Sequence, residues 1–204
     1  MTGVCCDSTS VSCGGACCDT NHTCSGSSCT CQGYAFSCGG CSAWNFETNT
    51  IEGWGKTPTS VGTDRVANNG VVSLAPSTGR YNQGTHSMAV SVSTDTTNNM
   101  AAFAVPLCPT GATVSVPANI TVTASIYFTA ASSFALFQAE LYGPSSYQSA
   151  QDPNFGNVIS GSDGWLTFHM TFSTAVNASY LGFYFLPGGP WNGTVYVDGV
   201  KFSM

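Results

Sequence analysis

The sequence predicts an all-β protein: an antiparallel β-sandwich over residues 44–204, preceded by a small disulfide-rich module over residues 1–43. Three observations lead there. Ten of the eleven cysteines fall between Cys5 and Cys41. From Trp44 onward, short apolar–polar alternations are separated by Gly, Pro, Asn, Asp and Ser, as in a series of short strands that each bury one face. No stretch carries a 3.6-residue apolar stripe with helix caps.

The N-terminal module comes first. Its only branched aliphatic side chains are Val4 and Val11, so some forty residues of this composition have no hydrophobic core to hold them and need crosslinks. Ten cysteines allow five bridges, of unspecified connectivity. Cys108, in "VPLCPTG", stands apart. It is either a buried thiol or the partner of one of the ten, pinning the module to the sandwich. That cysteine density predicts a secreted or cell-surface protein. The opening "MTGVCCDSTS" lacks the basic and apolar regions of a signal peptide.

The strands follow in chain order. "SMAVSVS" sets Met88, Val90 and Val92 against Ala89 and Ser91. "NITVTASIYFT" sets Ile120, Val122, Ala124, Ile126 and Phe128 against Thr121, Thr123, Ser125 and Tyr127. In "SSFALFQAELYG", Phe137, Ala139 and Leu141 share one face and Gln138, Glu140 and Tyr142 the other, with Phe134 and Leu136 out of phase. "WLTFHMTF" buries Leu166, Phe168, Met170 and Phe172, while "YLGFYFLP" buries Leu181, Phe183 and Phe185. In the closing "WNGTVYVDGVKF", Val195 and Val197 point inward, and Asp198 interrupts the strand beside Gly199. Residues 143–156 read as a long polar loop.

Composition excludes several functions. The net charge is −6 and the basic residues are Lys56, Arg65, Arg80 and Lys201, with no cluster to neutralise a phosphate backbone; nucleic acid is not expected as a partner. No apolar run reaches the roughly 20 residues that span a bilayer, so membrane insertion is not expected. Charged residues make up 7% of the chain, while 26 Ser and 24 Thr supply its polarity. Such a surface suits neutral extracellular polymers. Sequons at Asn21, Asn119, Asn177 and Asn192 fit exposed turns.

Four motifs stand in a telling order: "WNFETNTIEGWG", "QGTHSMAV", "GWLTFHMTF" and "GTVYVDGVKF". That order resembles the secreted β-jelly-roll carbohydrate-binding modules of polysaccharide-degrading enzymes, over residues 44–204 and excluding the cysteine module. The resemblance implies a jelly roll, polysaccharide as partner, and a structural calcium tying the first loop to the last strand. Glu47 and Asp198 match the motif carboxylates, with backbone oxygens of Asn45 and Thr85 completing an oxygen shell. The alternative for Asp198 is a turn cap beside Gly199.

Sugar binding in that architecture combines aromatic platforms with amides and carboxylates. The polar phases of the strands supply Tyr127, Gln138, Glu140, Tyr142, His169 and Tyr184 as one expected surface, and Trp191 in its Gly/Pro loop as a further platform. Trp54 and Trp165 are expected in the core. An enzyme is not expected. The glutamates are Glu47, Glu52 and Glu140, with no paired arrangement along a strand, and G-x-S-x-G is absent. The expected function is non-catalytic polysaccharide binding. The alternative is a structural surface protein that self-assembles into a fibre or coat, suggested by the odd cysteine count.

Overall fold

Each alternating segment forms a strand where the alternation places it. The structure is a computed structural model that describes residues 10–13, 16–19, 22–25, 28–31, 34, 36–38, 43–57, 69–108, 111–130, 132–144, 146–153, 158–159 and 164–204. The N-terminal module contributes two hairpins, β1 (Ser10–Cys13) with β2 (Ala16–Asp19) and β3 (His22–Ser25) with β4 (Ser28–Cys31). The sandwich strands are β5 (Ala43–Trp44), β6 (Gly55–Lys56), β7 (Val71–Ser77), β8 (Ser87–Ser93) and β9 (Ala101–Pro106). They continue as β10 (Val114–Val116), β11 (Ile120–Phe128), β12 (Ser132–Tyr142), β13 (Tyr147–Ala150) and β14 (Val158–Ile159). The last are β15 (Trp165–Phe172), β16 (Val176–Ala178), β17 (Tyr180–Pro187) and β18 (Asn192–Ser203). No helix occurs among the described residues, so none is long and apolar enough to cross a membrane.

Two antiparallel six-stranded sheets face each other. One runs β15-β11-β18-β8-β7, with β5 paired to β18; the other runs β13-β12-β17-β9-β6, with β14 paired to β12. The inward phases interdigitate as one core from Val90, Ile126 and Val197 on one side to Phe103, Phe137 and Phe183 on the other. Aromatic rings fill its centre. Trp54 stacks on Phe183 at 5.5 Å, tilts against Phe103 at 5.8 Å and meets Trp44 edge-on at 5.7 Å.

The composition break at residue 44 does not bound the packing. Phe36 is buried in the sandwich core and meets Phe202 edge-on at 5.5 Å, and the Tyr34 N–H donates to the Phe202 carbonyl at 3.2 Å. Cys108 is the partner of a module cysteine: Cys38 and Cys108 form a disulfide across a sequence separation of 70. Part of the polar stretch 143–156 forms a strand rather than a loop. Tyr147–Ala150 pairs antiparallel with the end of β12, placing Tyr147 opposite Tyr142.

Register is broken at one place that matters for the site. Between Thr123 and Ser125 of β11, the facing β18 carries an extra residue, Thr123 pairing Lys201 and Ser125 pairing Asp198. Gly199 sits in this bulge at φ 57°, in the left-handed region, where glycine has no Cβ to clash. Val195 and Val197 point inward before the bulge, Val200 and Phe202 after it. A second shift, between Phe134 and Leu136 of β12, accounts for the phase in which Leu136 sits.

Candidate functional site

The expected ligand residues separate by sheet. Tyr127 lies on β11 and His169 on β15, on the outward face of the first sheet. Gln138, Glu140 and Tyr142 lie on β12 and Tyr184 on β17, on the outward face of the second, where Gln138 pairs with Tyr184. The sandwich thickness stands between the two groups, so the expectation of one continuous surface is corrected. Alternation assigns each side chain to a face of its own strand; only pairing assigns the strand to a sheet.

Trp191 requires a second correction. It is 5% exposed, and its ring packs edge-on against Phe185 at 6.0 Å and Phe128 at 6.5 Å. Gly193 passes directly under that ring: a Cβ there would meet it at 2.7 Å. Trp191 is a core residue, and no platform for a ligand. Trp165 is the converse. Expected in the core, it is half-buried on the outward face of β15, 5.9 Å from Tyr127. Trp54 is in the core, as expected.

On the second sheet Gln138, Glu140 and Tyr142 come together, with two that sequence reasoning did not select; Tyr184, expected as a contact residue, is instead 4% exposed and packs with Met100 and Ala102. Glu140 is fully buried. The Gln138 side-chain amide donates to Glu140 Oε1, and the Tyr147 hydroxyl donates to the same oxygen at 2.8 Å. Gln138 also meets the Tyr147 hydroxyl at 3.1 Å, and Gln151 reaches Gln138 Oε1 at 3.5 Å. Tyr142 packs against Tyr147 at 5.5 Å, and Tyr147 itself is 49% exposed. Gly182 keeps the neighbouring strand clear, since a Cβ there would touch the Tyr142 ring at 3.0 Å. The result is a carboxylate and two amides fixed in orientation behind an accessible tyrosine. No signal in the local sequence marks Tyr147 or Gln151 as members, because their place depends on the pairing of β13.

The two motif carboxylates meet one loop, residues 80–86, on the outward face of the first sheet. Phe46 adopts φ 62° with its ring fully buried, and that left-handed turn directs the next residue, Glu47, away from the core. Glu47 Oε1 accepts the N–H groups of Thr85 at 3.0 Å and His86 at 3.1 Å, and Oε2 accepts the Thr85 hydroxyl at 3.0 Å. Asp198 Oδ2 accepts the N–H groups of Asn82 at 2.7 Å and Gln83 at 2.8 Å. The Asn45 side chain accepts the Glu47 N–H at 3.2 Å. Asp198 is therefore more than a turn cap beside Gly199: it anchors a loop 115 residues away in sequence.

Their electrostatics run opposite ways. Burial alone would raise the Glu47 carboxyl, but the Thr85 and His86 N–H groups, the Thr85 hydroxyl and the nearby His86 ring together hold it below its usual value. Burial pushes the Asp198 carboxyl up; the N–H groups of Gln83, Asn82 and Gly199 pull it back only partly, and the charge of Glu47 adds to the rise. Two carboxylates thus repel across this loop. A divalent cation fits that pair in part. Asp198 Oδ1 is buried and makes no hydrogen bond, and every candidate donor is oxygen, as calcium prefers. The loop, however, presents N–H groups to both carboxylates, and among the described residues no three His, Cys, Asp or Glu side chains converge.

No family model and no curated protein matches the sequence. Solved structures do match in fold. A β-sandwich-superfamily carbohydrate-binding module described for promiscuous specificity aligns at 14% identity and TM-score 0.51, over 82% of this chain and 64% of its own; the chain spans less than two thirds of that structure. A module of Caldicellulosiruptor saccharolyticus in complex with mannohexaose aligns at 12% identity and TM-score 0.54, over 78% of this chain and 93% of its own. A xylan-binding domain from Paenibacillus barcinonensis aligns at 18% identity and TM-score 0.51, over 78% and 90%. These identities speak to architecture alone, and on that footing the chain has the β-sandwich fold of carbohydrate-binding modules.

Proposed function

We propose that the chain is a non-catalytic module that binds an extracellular polysaccharide on the outward face of the β12–β17 sheet. The observation that carries this reading is the Gln138–Glu140–Tyr147 array beside Tyr142. The buried Gln138 amide and Glu140 carboxylate hold the Tyr147 hydroxyl from behind, so the exposed tyrosine offers a stacking plane that needs no further ordering on binding. The fold shared with modules solved with mannohexaose or described as xylan-binding supports the same reading. So does the Cys38–Cys108 disulfide, which suits an oxidising, extracellular setting. The comparisons lend no support to a fibre or coat protein.

Affinity electrophoresis in soluble glucan, xylan and mannan tests the proposal. Retardation by one of the three is expected, with Tyr147→Ala weakening it about 3–10-fold through the lost stacking plane and Gln138→Ala weakening it less, by releasing the Tyr147 hydroxyl. Migration unchanged by all three polymers sinks the reading.

The proposal includes a structural calcium held by Glu47 and Asp198, with backbone oxygens of Asn45 and Thr85 as partners. Bound calcium relieves the carboxylate repulsion and lends stability of about 2.7 kcal/mol at a hundredfold excess over Kd. EDTA should therefore lower the melting temperature of the wild type and leave Asp198→Ala nearly unaffected. With chelator present, the sign of the pH response follows from the two carboxyls. Asp198 binds its proton more readily folded than unfolded, so its ionisation costs stability that is regained as pH falls through its raised pKa. Glu47 contributes stability above its ordinary pKa that is lost only at lower pH, through its depressed one. Mild acidification from neutrality should first raise the chelated protein's melting temperature, and Asp198→Asn should abolish that rise. A melting curve indifferent to both EDTA and calcium refutes the metal.

A further inference from the structure

The outward face of the first sheet is not used by the array on the second, and its register sets side chains in rows across β15, β11 and β18. Trp165, Tyr127 and Tyr196 form one row, with ring centroids 5.9 Å and 6.2 Å apart and all three rings half-buried. The Arg80 guanidinium stands 4.2 Å from the Tyr127 ring centre. Four residues along the strand, His169, Thr123 and Lys201 form a parallel row, with His169 and Lys201 exposed. Between the rows, Thr167 and Ser125 line a groove of about 200 Å³ together with Asn82, Gln83 and Lys201.

Charge decides what such a face would take. The chain has ten acidic and four Lys or Arg residues, yet two of the four, Arg80 and Lys201, stand here with His169 beside them. The acid in the middle, Asp198, is fully buried with Oδ2 occupied by loop N–H groups. Glu47, at the rim, is taken up by the N–H groups of Thr85 and His86. What remains accessible is an aromatic row for the apolar faces of pyranose rings and a basic row for anionic substituents.

We propose that this face is a second carbohydrate site, for an anionic pyranose polymer, whose rings stack on Trp165 and Tyr196 while its acidic groups meet Lys201 and Arg80. The site lies on the opposite sheet from the Gln138–Glu140–Tyr147 array and does not depend on it.

The test is affinity electrophoresis of the full chain at low ionic strength with polygalacturonate, dextran sulfate and neutral dextran. One or both polyanions should retard the protein, more weakly as salt rises, and which of them does so separates carboxylate from sulfate recognition. Trp165→Ala and Lys201→Gln should each weaken retardation about 3–10-fold, Trp165→Phe should restore most of it, and Tyr147→Ala should leave it unchanged. Melting curves of the variants confirm that they fold. The proposal is overturned if neither polyanion retards the wild type. It is equally overturned if folded Trp165→Ala is retarded like the wild type, since attraction would then be charge alone. Retardation by neutral glycans that responds only to Tyr147 bears on the other face and leaves these outcomes separate.

Discussion

Trp54→Ala is expected to destabilise the protein by about 3–5 kcal/mol, the range for removing a large aromatic from a core, and to leave little folded protein at physiological temperature. The side chain is 1% exposed and is the node where the two sheets and the first loop meet. It stacks on Phe183, tilts against Phe103 and receives the edge of Trp44. Phe183 stacks in turn with Phe137 at 6.2 Å, so the vacated volume is bordered by rigid rings that close in poorly. Tertiary near-UV circular dichroism and the midpoint of guanidinium unfolding measure the loss. Trp54→Phe, which keeps a ring against Phe183, should recover a large part of it. A Trp54→Ala midpoint close to that of the wild type would show that the stack contributes little.

The second large effect is expected from the Cys38–Cys108 bridge. It closes a loop of 70 residues, for which the chain-entropy account gives about 4 kcal/mol at 25 °C. The double variant Cys38→Ala/Cys108→Ala isolates the bridge without reducing any other cysteine. Cys108 is fully buried beside Leu107, so a modest packing loss adds to the entropic one. Native contacts of Tyr34 and Phe36 with Phe202 remain, and the variant should fold to the same sandwich with a melting temperature lower by about 8–16 °C, at 2–4 °C per kcal/mol for a chain of this size. An unchanged melting temperature would show that this bridge places no net restraint on the unfolded chain beyond any strain it adds to the folded one.

The strands were legible because each obeys a period of two around a buried phase. The same period, applied without exception, also resolves the two misplaced tryptophans. Trp191 is in phase with Val195 and Val197 and therefore points inward; Trp165 is out of phase with Phe168 and Met170 and points outward. Motif context had outweighed parity at both positions. Sheet membership is a different matter. Whether Tyr127 and Gln138 share a surface depends on β11 pairing with β15 and β18 while β12 pairs with β13 and β17, and these are long-range choices that no window of sequence contains. The same holds for Tyr147, drawn into the Glu140 array by the pairing of β13 with β12. The resemblance implied Glu47 and Asp198 as ligands of one calcium; the structure brings both to the loop of residues 80–86, where backbone N–H groups face them.

Gly199 gives the closing strand two reading frames. Upstream of it the odd-numbered Val195 and Val197 are buried; downstream the even-numbered Val200 and Phe202 are. The bulge exchanges the frames, so the buried Asp198 and the exposed Lys201 both lie on the outward side of a strand that feeds the interior before and after it. With Gly199 in the chain, strict alternation past Asp198 would keep Val195 and Val197 inside but turn Val200 and Phe202 out to water, uncoupling Phe36 from the partner that joins it to the sandwich. The bulge absorbs that one residue, and glycine is suited to it because the position takes φ 57°. A local break in the pairing is what lets this sequence serve the core along the whole strand.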